Sequence, residues 1–278
     1  MSATAHLLPD GRLHLHHGPM DLILGCDGPP AVIRAAYDDA WACFEPLLAA
    51  LVTELPALRA PEPQPLHGPT ARRMAEAVAP HRPAFITPMA AVAGAVAETV
   101  LAALPRPGLR RAYVNNGGDI ALYLTPGTHY TTAIAGQSQQ IVISHADPVR
   151  GIATSGWRGR SWSFGIADSV TVLAATAAQA DAAATMIANA VTLPGHPAIT
   201  RQPANSLQHD SDLGARAVTT AVGPLSPTEI SRALTSGADH ARQLLHQGLI
   251  AGAAVFLHPQ VITLGQPLLT QHPEPCLG

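Results

Sequence analysis

Residues 111 to 124 read Arg-Ala-Tyr-Val-Asn-Asn-Gly-Gly-Asp-Ile-Ala-Leu-Tyr-Leu, and the fold is decided there. Two apolar runs, 112–114 and 120–124, flank a polar bend at Asn115, Asn116, Gly117, Gly118 and Asp119. The runs predict strands, because aromatic and branched residues suit a half-buried pleated surface. The bend has two readings. Asn-Gly and Gly-Asp are good hairpin turn pairs. Two glycines also let a backbone approach a ligand closely, with the asparagines and Asp119 supplying polar groups at the same place.

Working outward from this bend, further strands are predicted at 131–135, 140–144, 161–165 and 170–173. Thr176-Ala-Ala-Gln179 then has the form of a capping box for a helix reaching Ala190. Upstream, Thr87-Pro88 predicts a helix start. That helix runs to Leu104, before Pro105 and Pro107, and its Ala90, Gly94 and Ala97 form a narrow face for close approach. Alternation at 12–16 and the apolar run 20–25 predict strands, and 30–58 predicts a helix. Ser226-Pro-Thr-Glu229 opens a helical region, continuing over 238–249, and strands at 253–257 and 261–264 follow. Strands and helices mix in runs without strict alternation or a repeat of fixed period. The prediction is α+β, with mixed sheets packed against helices in one compact unit over 1–278, a loop at 59–69 and an irregular stretch at 194–225.

Composition excludes several functions. The chain has 278 residues, 47% hydrophobic and 13% charged, with a formal net charge of -3. No strong field draws it to nucleic acid or to an anionic membrane. All 16 basic residues are arginine. Without lysine there is no Schiff-base chemistry, no Walker-A loop and no protein-kinase site. Cys26, Cys43 and Cys276 are scattered, which disfavours both a disulfide scaffold and a Cys-type zinc site. The apolar run 84–104 is alanine-rich and interrupted by Pro88 and Glu98, so it reads as a buried helix. With no secretory pattern at Met1 to Arg12, a cytoplasmic location is expected.

Four further segments could carry chemistry. Asp181, Thr185 and Asn189 lie at i, i+4 and i+8 on one helix face. A carboxylate and a hydroxyl one turn apart suit a hard cation such as Mg²⁺, whereas the plain alternative is a solvent-facing stripe. Gly151-Ile-Ala-Thr154-Ser155-Gly156, with Arg158 and Arg160 beyond, could hold an anion or be a polar loop. Asp168 is a second acid or a strand-edge charge. The helix start at Thr87 could favour phosphate, unless Thr87 itself caps it. His14, His16 and His17 have no accompanying carboxylate or cysteine pattern and read as surface histidines.

The ordered series TPMAAVAGAVAE, VNNGGDI, GIATSG, GRSWSFGIADSVTVLA and ADAAATMIANAV resembles the ApbE-like superfamily, and most closely its uncharacterised UPF-type branch. The resemblance runs from about residue 13 to 191, with a weaker tail at 248–264. It implies an ApbE-like fold and a relation to Mg²⁺-dependent transferases that move FMN from FAD onto a threonine of a target protein. It carries metal roles to Asp181 and Thr185, with a backbone carbonyl of the AAVAG segment as a further ligand. By the resemblance, Asn115, Asn116, Gly117, Gly118 and Asp119 form the glycine turn near the flavin; the residues' own chemistry adds Thr87, Thr154, Ser155, Gly156 and Arg160 as phosphate contacts and Asp168 as an acid or base. One departure stands out. The transferases carry an H-x-x-D-P-x-T-G segment where this chain has Gly159 to Asp168, with neither histidine nor proline. The expected function is a Mg²⁺-assisted enzyme or binder acting on FAD, FMN or another nucleotide, with phosphoryl-linked transfer as the favoured chemistry and classical flavinylation poor or absent. The alternatives are a non-catalytic flavin or small-molecule carrier, and an enzyme that uses Arg158 and Arg160 on an acidic metabolite.

Overall fold

The computed structural model describes residues 2–133 and 140–265. Thirteen strands are present among them: β1 Thr4–Leu7, β2 Leu13–His17, β3 Met20–Asp27, β4 Arg111–Asn116, β5 Asp119–Leu124, β6 His129–Ala133, β7 Gln140–Ser144, β8 Gly151–Ser155, β9 Ser169–Ala174, β10 Ile199–Pro203, β11 Ala217–Val222, β12 Gly252–Leu257 and β13 Gln260–Gly265. The α-helices are α1 Pro30–Phe44, α2 Leu47–Thr53, α3 Leu55–Leu58, α4 Pro69–Val78, α5 Val92–Leu101, α6 Ala177–Ala190, α7 Ala204–Leu207 and α8 Pro227–His246.

Nine strands form one antiparallel sheet in the order β1-β2-β3-β4-β5-β8-β9-β12-β13. Apart from β1, the same unit occurs twice: a strand pair, a helical crossover, and a second strand pair. It is β2-β3 to β4-β5 in the first half, and β8-β9 to β12-β13 in the second. The halves meet at β5 and β8, where only Ile120↔Ile152 and Ala121↔Gly151 are paired. The duplication is one of elements, which explains why no fixed period is visible in the sequence.

Helices cover one sheet face. Leu15, Leu22, Leu24 and Val114 pack under α1, α4 and α5, while Ala153, Val170 and Val172 pack under α6 and α8. On the opposite face the β6–β7 hairpin lays Ile141 and Ile143 over Ile120, Leu122, Ile152 and Leu173. The alanine-rich composition has a direct use where α5 crosses α6. A Cβ on Gly94 would lie 2.3 Å from the Ala177 carbonyl oxygen.

The structure corrects several expected boundaries. The single helix at 30–58 is three helices, because Pro46 and Pro56 lack the amide hydrogen that a continuous helix needs. α4 begins at Pro69, at the end of the expected loop. The helix expected from Thr87 is a 3₁₀ turn, Pro88–Ala91, followed by α5. Residues 151–155 are a strand rather than a loop. Residues 161–165 form no strand: Ser163 Oγ and the Phe164 amide donate to Asn189 Oδ1 instead. The stretch 194–225 contains the β10–β11 hairpin. Of the strand expected at 131–135, residues 134 and 135 lie outside the described residues. No helix among the described residues is long and apolar enough to cross a membrane.

Candidate functional site

The β4–β5 bend is a two-residue hairpin turn closed by the Asn116↔Asp119 pair. Gly117 and Gly118 adopt φ of 66° and 117°, which an L side chain rarely accepts. Asn115 Oδ1 accepts the Gly118 amide hydrogen at 2.8 Å, so this asparagine stabilises the turn. Its neighbour Asn116 is buried, and its Nδ2 donates to the Ala93 carbonyl at 3.1 Å.

The peptide unit that receives this bond is held from its other side too. The Gly94 amide donates to Asp181 Oδ2 at 3.0 Å. The Ala93–Gly94 peptide is thus clamped between Asn116 of β4 and Asp181 of α6. Gly94 lies in the first turn of α5, where free N–H groups and the helix dipole favour negative charge. The favour is returned at the start of α6, where the Ala178 amide donates to Glu98 Oε1 at 2.7 Å. Thr176 also caps α6 by accepting the Gln179 amide. Each helix therefore supplies a carboxylate to the other's N-terminus. Arg73 holds Glu98 by an ion pair of 2.7 Å.

Asp119 follows the glycine turn and is buried. Its Oδ1 accepts the Thr154 amide at 3.1 Å. Burial raises the Asp119 carboxyl above the ordinary carboxylate range, and the Thr154 hydrogen bond opposes this only in part. Asp181 is raised too, first by burial and then by the charge of Asp119, against the opposing Gly94 and Ala93 amides. Two carboxyls from opposite halves of the fold, Asp119 buried and Asp181 half-buried, thus interact, and the charge of Asp119 makes ionisation of Asp181 harder. Sequence spacing had linked Asp181 to Thr185 but not to Asp119, 62 positions earlier in the chain.

Thr185 is half-buried one turn beyond Asp181, and its hydroxyl makes no hydrogen bond among the described residues. Asn189, the third member of that face, serves the 163–164 loop. In β8, Ala153 packs toward the helices, so alternation puts Ser155 on the same side as Asp119 and Asp181. The Thr154 side chain faces away and meets the Thr171 hydroxyl at 3.0 Å. Gly156 has no room for a side chain, since a Cβ there would lie 2.5 Å from the Asp168 carbonyl oxygen. Arg160 is exposed and passes over the glycine turn, its Nη1 3.3 Å from where a Gly117 Cβ would be.

Two expected site residues are engaged elsewhere. Asp168 Oδ1 accepts Arg158 Nε at 2.6 Å and Trp157 Nε1 at 3.2 Å, while Oδ2 accepts the His258 amide at 2.8 Å. That carboxylate ties the 156–160 segment to the β12–β13 turn. Thr87 is buried, does not cap the turn it precedes, and donates its hydroxyl to Asp212 Oδ2 at 2.5 Å. Nearby, Phe85 packs its ring against Phe164 at 6.1 Å and lies under the Arg216 guanidinium at 3.4 Å. These contacts join the 199–222 hairpin to the approach to α5. No spacing rule could have revealed them, because the partners lie 79 and 131 positions from Phe85.

Fold and site together define an α+β protein with a duplicated antiparallel sheet, in which Asp119 of β5 and Asp181 of α6 lie beside the crossing of α5 and α6. The chain belongs to the family described as AbpE bacteria, whose model matches residues 5–266. It is similar to proteins named UPF0280 protein from Methanothermobacter thermautotrophicus, 42% identical over 118 residues, and from Methanosphaerula palustris, 41% identical over 133 residues. These matches cover 41% and 46% of this chain, and 46% and 55% of the relatives, so the chain spans about half the length of the curated relatives it matches. Among solved structures, it matches the apo crystal structure of the Pseudomonas stutzeri flavinyl transferase ApbE. There the identity is 15% and the TM-score 0.37, over 90% of this chain and 78% of that one.

Proposed function

We propose that the Asp119–Asp181 site at the start of α5 binds Mg²⁺ together with the phosphates of a flavin or other nucleotide, and that binding rather than flavin transfer is its main activity. The observation that carries this reading is the Asp119–Asp181 pair. Two neighbouring carboxylates, one buried and one half-buried, repel unless they keep a proton or gain a cation. Their oxygens, with the Thr185 hydroxyl one turn away, are the hard donors that Mg²⁺ selects. Among the described residues no three His, Cys, Asp or Glu side chains converge on one point. Water, backbone and ligand phosphate would complete the shell, as is usual for this ion. When bound, the ion supplies charge neutralisation for a diphosphate.

The surrounding residues support the same ligand class. Gly118 leaves open space beside the turn, so a phosphate-bearing ligand can approach the backbone there. Arg160 would offer its guanidinium to a phosphate. Ser155 adds a hydroxyl on the same side. Transfer to a threonine hydroxyl needs a base within reach of its proton. Asp168 already accepts three hydrogen bonds and is not assigned that role.

Calorimetry with Mg²⁺, in the presence and absence of FAD, tests the proposal. Affinity for Mg²⁺ is expected to rise when FAD is present and to be lost in Asp181→Ala and Thr185→Ala. Equal affinities under both conditions and in both variants would overturn it. A second assay mixes the protein with FAD, Mg²⁺ and a peptide carrying a transferase acceptor sequence. Weak or no covalent flavin fluorescence on a denaturing gel is expected. A strong band abolished by Asp181→Ala would replace binding with transfer as the activity.

A further inference from the structure

The first three strands turn Leu13, Leu15, Met20, Leu22 and Leu24 toward the helices. Alternation directs His14 and His16 of β2 and Asp21 of β3 to the other face. Strand register sets His6 opposite His14, and His16 opposite Asp21. The ring centroids of His6 and His14 are 6.5 Å apart, as are those of His14 and His16. His14 Nε2 lies 2.6 Å from Asp21 Oδ1. The carboxylate that the linear sequence does not associate with these histidines therefore comes from the neighbouring strand. The His14 and Asp21 side chains remain 31% and 46% exposed, which leaves the group open to an ion from solution.

We propose that His14, His16 and Asp21, with His6 alongside, bind one late first-row divalent cation of the Zn²⁺ or Ni²⁺ type on this open sheet face. Imidazole nitrogens with one carboxylate are a donor set suited to such ions. The site differs in kind from the all-oxygen site at α5, which suits Mg²⁺. In the metal-free protein the His14–Asp21 hydrogen bond holds those two side chains together, and no three groups yet share a centre. On binding, the ion replaces the bridging proton, and the His16 ring turns about its side-chain torsions to meet it. An imidazolium at His14 releases its Nε2 proton to solvent, and a neutral ring moves that proton to Nδ1. His6, on the adjacent edge strand, supplies a further nitrogen or stacks beside the bound ring.

The test is a Co²⁺ titration of chelator-treated protein at pH 7.5, with excess Mg²⁺ present to occupy the hard oxygen site. The expected result is visible d–d absorption that saturates at one ion per chain and is displaced by Zn²⁺. His14→Ala and Asp21→Asn are expected to weaken binding by about 10- to 100-fold. Both residues are on the surface, and thermal melts establish that each variant folds. His16→Gln provides a third measurement on the same face. Absence of d–d bands from the unmutated protein would overturn the proposal, as would bands of equal strength in all three variants.

Discussion

Asp181 combines two roles whose energetics oppose each other. Its carboxylate accepts the Gly94 amide at the start of α5, yet desolvation and the charge of Asp119 disfavour its ionisation. Asp181→Asn keeps an acceptor for Gly94 and removes the charge. In buffer containing a chelator, this variant is expected to be more stable by about 1–2 kcal/mol, while losing Mg²⁺ binding. Urea denaturation checks it. A loss of stability in Asp181→Asn would mean that the residue acts as a charged helix cap and not as a cation ligand. His81 is a second test at this scale. Burial, reinforced by nearby His240, depresses its pKa from 6.5 to about 4. The native state thus binds fewer protons than the unfolded chain between those values, and stability falls as pH drops from about 6.5 toward 4. The loss is at most about 3 kcal/mol. His81→Leu is expected to flatten this part of the acid limb, measured as the difference between the two urea curves at pH 7 and pH 4.5. Parallel acid losses in both proteins would assign the pH dependence to other groups.

At the scale of elements, the crossing of α5 and α6 governs the site. The helices approach closely because Gly94 has no side chain and the facing residues of α6 are alanines. Gly94→Ala would place a Cβ 2.3 Å from the Ala177 carbonyl oxygen, a backbone atom that cannot rotate away. Destabilisation of about 1–3 kcal/mol is expected, with weaker Mg²⁺ binding, because the Gly94–Asp181 bond depends on the same spacing. Denaturant titration and calorimetry on this variant check both effects, and unchanged values in both would mean the helices can separate freely. The sequence showed this element well: the Thr176 cap, the Ala190 end and the small-residue face at Gly94 all follow from local chemistry. It also showed the Asn115–Asp119 bend. The broken helix at 30–58 was less legible, because apolar periodicity continued across prolines that terminate each segment.

For the whole molecule, the middle of the sheet, β5, β8 and β9, is buried on both sides. The β6–β7 hairpin shields the face opposite the helices, and Ile143 is buried there among Ile120, Leu122 and Ile152. Ile143→Ala is expected to cost about 2–5 kcal/mol, read as a lower denaturation midpoint. A near-neutral effect would mean that the hairpin is dispensable for the sheet. The two halves meet through a short ladder, through the crossing of α5 and α6, and through the interaction of Asp119 with Asp181. A ligand bridging those carboxylates should therefore stabilise the whole chain. At ~100 times its dissociation constant, FAD with Mg²⁺ is expected to contribute about 2.7 kcal/mol. A thermal shift absent from Asp119→Asn checks this, and an equal shift in that variant would move the ligand elsewhere.

With the exceptions of β1, β8, β10, β11, α4, α7, residues 161–165 and the broken helix at 30–58, the strands and helices, the glycine hairpin and the exclusion of lysine chemistry were determined by the sequence itself. Each depends on residue type or on spacing within a few positions, the range over which 2.0- and 3.6-residue periods operate. That Asp181 and Thr185 share one helix face was legible for the same reason, since one helical turn joins them. The partners were not. Asp119 reaches Asp181, Asp168 is drawn to Arg158 and His258, Thr87 turns to Asp212, and Asp21 meets His14 only when the chain is folded. The tertiary structure decided these pairings, because strand register and helix crossing set through-space distances that have no counterpart in linear spacing. It also decided which carboxylates oppose each other and which are satisfied by donors, and placement of that kind is a property of the assembled fold.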